Sequence, residues 1–94
     1  MSYKLKFKEP ALREWSKLDS SIKNQFKKIL KERLINPCVE SARLNGMKDC
    51  YKIKLKSAGY RLVYQVRNKE LVVSVVAVGK RERNQIYKTA IKRI

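Results

Sequence analysis

The segment 71–78 is the part of this sequence that most restricts the possible folds. Its residues are apolar at every position except Ser74, so it lacks the alternation typical of a strand with one solvated face. It is also far shorter than the ~20 residues that a helix needs to cross a bilayer. The run therefore predicts a strand that is covered on both faces and lies centrally in a sheet, with Gly79 at its end.

Two alternating runs precede this central strand. Tyr51, Ile53 and Leu55 alternate with lysines, and residues 60–67 repeat the pattern after a turn at 57–59. A second tight connection, Asn68-Lys69, leads into segment 71–78. The pattern predicts a three-stranded antiparallel meander.

The N-terminal segment predicts a strand followed by a short helix. The strand is indicated by apolar residues at every second position: Tyr3, Leu5 and Phe7. Pro10 suits the first turn of a helix, where its missing N–H is not needed. The apolar stripe of this helix is expected at Leu12, Trp15 and Leu18.

A second, longer helix is expected between a cap at Asp19 or Ser20 and a stop at Asn36-Pro37. Its helical spacing is carried by Ile22, Phe26, Ile29, Leu30 and Arg33. A closing helix is marked by Ile86, Ala90, Ile91 and Ile94. With 94 residues there is room for one core, so a single domain over residues 1–94 is predicted. Its fold class is α+β: an N-terminal strand, a helical hairpin on one sheet face, the meander completing a four-stranded sheet, and a C-terminal helix.

The charge balance limits the partners of this domain. Twenty-four Lys and Arg residues against eight acidic residues give a formal net charge of +16. Such a surface attracts polyanions. Nucleic acid is favoured among them, because each phosphate that the protein neutralises releases counterions and so strengthens binding. An anionic membrane or an acidic protein would also satisfy the charge, so it selects a class of partner and not a reaction.

The remaining composition favours a cytoplasmic protein without a cofactor. The N-terminus alternates charged with apolar residues and so lacks the continuous apolar segment of a secretory signal. Cys38 and Cys50 do not form a C-x-x-C pattern, and the chain has no histidine, which excludes a nitrogen-ligated metal site. The two cysteines are expected to be free thiols, and neither a metal, a cofactor nor a membrane partner is predicted.

The polar face of the predicted meander carries the candidate site. Because side chains alternate along a strand, Lys52, Lys54 and Arg61 are expected on the face opposite the core residues of the hairpin. Arg81 follows just past the central strand, and Tyr87 lies about two turns further along on the closing helix. The same residues also fit a surface of ordinary solvated charges with a half-buried tyrosine, since lysine-rich strand faces are common in a strongly basic protein.

Three long segments carry a resemblance to a known family. Residues 44–55, 59–66 and 78–83, together with Tyr87, resemble the RelE family of bacterial toxins, and residues 12–15 and 91–93 also fit. The likeness covers the whole chain. It implies a toxin of a type II toxin–antitoxin pair that enters the ribosomal A site and cuts the mRNA codon there. The implied cutting residues are Lys52, Lys54, Arg61, Arg81 and Tyr87.

The resemblance also implies partners. They are the 70S ribosome with its rRNA, the mRNA, and an acidic RelB-like antitoxin that wraps the toxin and can displace its last helix. With the antitoxin, the toxin would contribute to repression of its own operon, contacting operator DNA only through that complex. A surface of charge +16 is compatible with such an acidic partner.

The chemistry of the five residues is consistent with RNA cleavage. Attack by a 2′-OH needs a base, charge stabilisation at the phosphorane, and an acid for the leaving 5′ oxygen. Clustered cations favour the deprotonated forms of a lysine and a tyrosine, so Tyr87 or a deprotonated Lys52 is the predicted base. Lys54 and Arg61 would hold the scissile phosphate. Arg81 would stabilise charge or help to protonate the leaving oxygen, with the electrostatic role favoured because arginine is a poor proton donor.

Two alternatives stay open at this point. ParE-like toxins share the fold and poison DNA gyrase, but they lack the basic catalytic set that is present here. A non-catalytic RNA-binding or ribosome-associated module would need only the charge.

Overall fold

The sheet predicted from the sequence is present in the structure, a computed structural model that describes residues 2–80, 82 and 85–94. The elements in chain order are β1 (Lys4–Phe7), α1 (Glu9–Ser16), α2 (Ser20–Ile35), a 3-10 turn (Glu40–Ala42), β2 (Cys50–Leu55), β3 (Tyr60–Arg67), β4 (Val72–Lys80) and α3 (Gln85–Arg93). This order confirms the predicted α+β class.

The sheet has the strand order β1-β4-β3-β2. β4 pairs in parallel with β1 and antiparallel with β3, and β3 pairs antiparallel with β2. Residues 72–78 are all buried, which confirms the prediction of a central strand covered on both faces. The strand does not end at Gly79, as the sequence had suggested, because pairing with β3 continues to the partners Tyr60 and Lys80.

One face of the sheet is covered by α1 and α2. Phe26 and Leu30 of α2 and Ala11 of α1 share a buried cluster with Ile53 and Val75 of the sheet. The rings of Phe7, Trp15 and Phe26 extend this cluster, with centroids 5.3 Å and 6.0 Å apart. α2 begins at the predicted cap, where the Asp19 carboxylate accepts a hydrogen bond from the Ile22 N–H at 2.9 Å. This face holds most of the core, as the helical hairpin was expected to do.

The other face is covered by α3. Ile86 and Ala90 are the buried residues of this helix, and they pack with Val63 and Ala77 of the sheet. Gly79 also lies next to this helix: a Cβ at that position would be in ordinary van der Waals contact with Cδ1 of Ile86, at 3.5 Å.

Several apolar positions are more exposed than predicted. Leu12 is 50% exposed, and the buried residue of α1 is its neighbour Ala11; a small side chain suits a two-turn helix lying against β4. Leu5 is 37% exposed because β1 is an edge strand with little cover. Ile91 is 53% exposed because it lies about 100° around the helix from the buried Ala90. Ile94 follows the last residue of α3 and is also exposed.

Candidate active site

The β2–β3 hairpin presents three of the predicted cations on one face. Lys54 is paired across the strands with Arg61, and Lys52 with Val63. Directly paired residues of antiparallel strands point to the same side of the sheet, and Val63 belongs to the core beneath α3. Lys52, Lys54 and Arg61 therefore lie on the α3 face. The hairpin residues of the opposite face, which pack beneath α1 and α2, are Ile53, Leu55, Leu62 and Tyr64, as predicted.

Arg61 and Tyr87 are in direct contact. Nη1 of Arg61 donates a hydrogen bond to the Tyr87 hydroxyl at 3.1 Å, and its Cζ lies 5.3 Å from the centroid of the Tyr87 ring. Arg61 is only 8% exposed, whereas the sequence left open an ordinary solvated charge. A guanidinium under an aromatic ring gains a cation–π attraction and keeps further N–H donors for a ligand.

α3 places Tyr87 over the hairpin. The neighbouring Ile86 is buried against the sheet, so the next position along the helix lies beside the contact rather than under it. Tyr87 is half-buried and packs at the margin of the α3 core. The packing of Ile86 against the sheet thus sets the direction in which Tyr87 points.

A shallow depression of about 180 Å³ adjoins this contact. Its lining residues are Lys54, Leu55, Lys56, Gly59, Tyr60 and Arg61. None of these lining residues is acidic, and Lys54 is exposed while Lys52 is half-buried. The depression can hold an anionic group such as a phosphate beside Lys54 and Arg61.

The fifth predicted residue, Arg81, lies outside the described residues. The structure therefore brings together Arg61 and Tyr87 by direct contact and Lys54 by strand pairing, with Lys52 on the same strand face. These placements agree with the convergence that the alternation of the hairpin predicts.

Two residues that sequence reasoning did not assign to the site support its frame. Arg33 of α2 donates hydrogen bonds to the carbonyl oxygen of Lys52 at 3.2 Å and to the Tyr64 hydroxyl at 2.9 Å. The sequence gives one signal for Arg33: it is a charged residue at a position where the helical spacing of α2 otherwise has apolar residues. Glu14 of α1 accepts hydrogen bonds from the Val78 N–H and from Arg93. No local pattern marks Glu14, because its partners are distant in the sequence.

Two buried titratable residues at the start of β2 are held in their neutral forms. Burial raises the pKa of the Cys50 thiol to about 11, and burial also raises the pKa of Tyr51 to about 12. Cys38 and Cys50 are both free thiols, as predicted. Within the described ranges, no three Cys, Asp or Glu side chains are grouped so that they could hold a metal ion. None of the helices described is both long and apolar enough to cross a membrane.

Comparisons with known proteins agree with this fold. A family model described as the ParE toxin of the type II toxin–antitoxin system parDE matches residues 5–85. The chain is 56% identical over 94 residues to the mRNA interferase toxin RelE of Escherichia coli strain K12, covering 100% of this chain and 99% of that protein.

Solved structures show the same relationship. A double-mutant form of the E. coli toxin RelE in the free state has a TM-score of 0.92 and 54% identity, covering 100% of this chain and 99% of that one. The toxin in the intact E. coli RelBE toxin–antitoxin complex has a TM-score of 0.84 and 56% identity, covering 87% and 100%.

Fold and site together define a small basic α+β domain with a cationic depression at the turn end of its β2–β3 hairpin. The chain belongs to the RelE/ParE family of toxins from type II toxin–antitoxin systems.

Proposed function

We propose that this toxin is an endoribonuclease that cuts mRNA in the ribosomal A site by attack of a 2′-OH on the adjacent phosphate, and so stops translation. The observation that carries the proposal is the contact of Arg61 with Tyr87, next to a depression that Arg61 and Lys54 line and whose lining contains no acidic residue. The 56% identical relative is named an mRNA interferase, which supports the same activity.

Each residue has a role in this proposal. The Tyr87 oxygen, held by Arg61, or a deprotonated Lys52 removes the proton of the 2′-OH. Lys54 and the remaining N–H donors of Arg61 bind the scissile phosphate and stabilise its charge in the transition state. Arg81 stabilises the charge that develops on the leaving 5′ oxygen, or helps to protonate it.

The ribosome supplies what this site lacks. The chain contains no histidine, so no base of ordinary neutral pKa is at hand. A ribosome that bends the mRNA and presents the 2′-OH in line with the phosphate would lower the barrier by orientation. The toxin itself needs no metal ion for cleavage in this proposal.

The proposal includes a regulatory partner. An acidic RelB-like antitoxin would bind the basic surface of this toxin, and the E. coli RelBE complex is a solved toxin–antitoxin pair. The complex would repress its own operon, with operator DNA contacted through the antitoxin. The toxin would act in the bacterial cytoplasm, where ribosomes translate.

Primer extension on programmed ribosomes tests the activity. The wild-type toxin is expected to produce mRNA ends at the A-site codon, with 2′,3′-cyclic phosphate termini, and none on ribosome-free mRNA. Lys54→Ala should reduce cleavage strongly, whereas Lys6→Ala, an exposed lysine on β1, should not. Toxin treated with a chelator and then desalted should cleave normally. Intact A-site codons in every reaction would refute the proposal.

Two other functions would give different results in the same assay. A gyrase poison is suggested by the ParE description of the matching family model, and it would leave the mRNA intact while producing gyrase-linked DNA breaks. A non-catalytic module would bind ribosomes without cutting. The cations Lys52, Lys54 and Arg61, gathered with Tyr87 on one face, argue against both.

A further inference from the structure

The carboxylate of Glu14 joins three elements of the fold. Its Oε1 accepts hydrogen bonds from the Val78 N–H of β4 at 3.1 Å and from Nη1 of Arg93 on α3 at 2.8 Å. Its Oε2 accepts a second bond from Nη2 of Arg93 at 3.1 Å. Arg93 also donates to the carbonyl oxygen of Val76 at 2.9 Å. A residue of the helical hairpin thus reaches the helix on the opposite face of the sheet.

This arrangement occupies a part of β4 that β1 does not reach. Pairing between the two strands ends at Phe7 and Val75, so the next polar backbone groups on that side of β4 need other partners. Glu14 takes the Val78 N–H and Arg93 takes the Val76 carbonyl. The ion pair thus supplies partners for these two backbone groups and secures the last turn of α3 at the same time.

The attachment of α3 depends on few contacts. The helix has nine residues and two buried side chains, Ile86 and Ala90, and a helix this short is not stable without tertiary support. The structure gives it a polar tie near each end: Arg61 to Tyr87 and Glu14 to Arg93. Loss of the second tie would let the helix move relative to the sheet, and Tyr87 would move with it.

The ion pair is better sheltered than a typical surface pair. The side chains of Arg93 and Glu14 are 21% and 32% exposed, whereas those of Arg13 and Glu9 in the exposed pair of α1 are 71% and 77% exposed. Bidentate pairs between a guanidinium and a carboxylate are directional and strong, while exposed pairs contribute little. Glu9 therefore provides a matched control on the same helix.

We propose that Glu14 is a positioning residue for the cleavage reaction: by holding Arg93, it fixes α3 so that the Tyr87 hydroxyl meets Arg61. This assignment rests on the proposed function for its kinetic consequence, but the position of α3 can be measured without any activity. Glu14 does not touch the depression and acts only through the helix.

The structural test uses Glu14→Gln in the full chain. The amide keeps an acceptor for the Val78 N–H and loses the charge that holds Arg93. Amide hydrogen exchange along α3 should accelerate roughly tenfold, and the NMR contact between the Tyr87 ring and the Arg61 side chain should weaken. Exchange in α2 should stay unchanged, as should α3 exchange and the Tyr87–Arg61 contact in the Glu9→Gln control. Arg93→Gln removes the same pair from the other side and should reproduce the result.

The kinetic test uses the same variants on programmed ribosomes. Glu14→Gln should lower the single-turnover cleavage rate roughly tenfold at unchanged ribosome affinity. The double variant with Glu14→Gln and Tyr87→Phe should cleave no more slowly than Tyr87→Phe alone, because both changes remove the same positioned hydroxyl. A purely destabilising change would lower the rate in either background.

The outcomes separate the two proposals. A wild-type toxin that leaves mRNA intact would refute the proposed function, while the exchange and NMR results would still decide whether Glu14 secures α3. If the wild type cleaves and Glu14→Gln retains its full rate, or loses rate with α3 exchange unchanged, the positioning role is wrong.

Discussion

The two faces of the sheet are built differently. Beneath α1 and α2 the core is deep and apolar, and Phe26 and Tyr64 are fully buried there. Beneath α3 two helix residues cover the centre, and the rest of the face carries Lys52, Lys54 and the nearly buried Arg61. The comparison indicates that one face buries most of the apolar surface, while the other holds like charges close together. Such charges repel one another, so the site depends on stability gained elsewhere.

Removing core volume from each face should separate their contributions most clearly. Phe26→Ala is expected to lower the free energy of unfolding by about 3–5 kcal/mol, because a fully buried ring is replaced by a cavity. Ile86→Ala on the α3 face should cost less, about 2 kcal/mol, since the thin cover can collapse onto the space. Urea denaturation measures both.

Leu12→Ala is the control for these substitutions, because Leu12 is 50% exposed and should change stability by no more than ~0.5 kcal/mol. Equal costs for Phe26→Ala and Ile86→Ala would show that the two faces stabilise the fold equally.

Arg33 ties α2 to strand β2, so its removal tests a polar contact on the well-covered face of the sheet. Arg33→Met keeps the apolar stem but loses the hydrogen bonds to the Lys52 carbonyl and the Tyr64 hydroxyl. The expected loss is about 1.5–3 kcal/mol, the range for hydrogen bonds from a charged donor. Lys31→Met, an exposed position on the same helix, should be almost neutral in urea denaturation. A similar loss in both variants would contradict the role of Arg33.

The smallest effect concerns Tyr51, which packs on the sheet face covered by α1 and α2. Burial raises its pKa from 10.0 to about 12, so the unfolded chain releases the phenolic proton at a lower pH than the folded one. The free energy of unfolding should therefore be unaffected below the lower value and should fall as the pH rises towards the higher. Tyr51→Phe should make this alkaline decline shallower. Urea titrations across the window would show it, and an unchanged slope would argue against the assignment.

The sequence predicts the fold well where periodicity carries the information. The apolar run 71–78 identified the central strand, and the alternation of Lys52 and Lys54 with Ile53 identified the face of the site. Periodicity did not distinguish Ala11 from Leu12 in α1, because two turns of helix contain too few apolar residues to fix the buried side.

The supporting contacts of the site were beyond local sequence patterns. Arg61 meets Tyr87 because α3 returns over the hairpin. Glu14 and Arg93 are 79 residues apart along the chain, and no spacing rule relates them. Such contacts follow from the tertiary arrangement, which brings the edge of β4, the first helix and the last helix together.

The central claim is that the Tyr87 hydroxyl, held by Arg61, takes part in cutting mRNA. Single-turnover cleavage on programmed ribosomes should be roughly 10²–10⁴-fold slower for Tyr87→Phe, as for loss of a general acid or base, with ribosome affinity retained. Tyr3→Phe, which removes a hydroxyl that donates to Asn68 at an exposed position, should cleave at the wild-type rate. A Tyr87→Phe toxin that cleaves as fast as the wild type, or that loses binding and cleavage to the same extent, would contradict the claim.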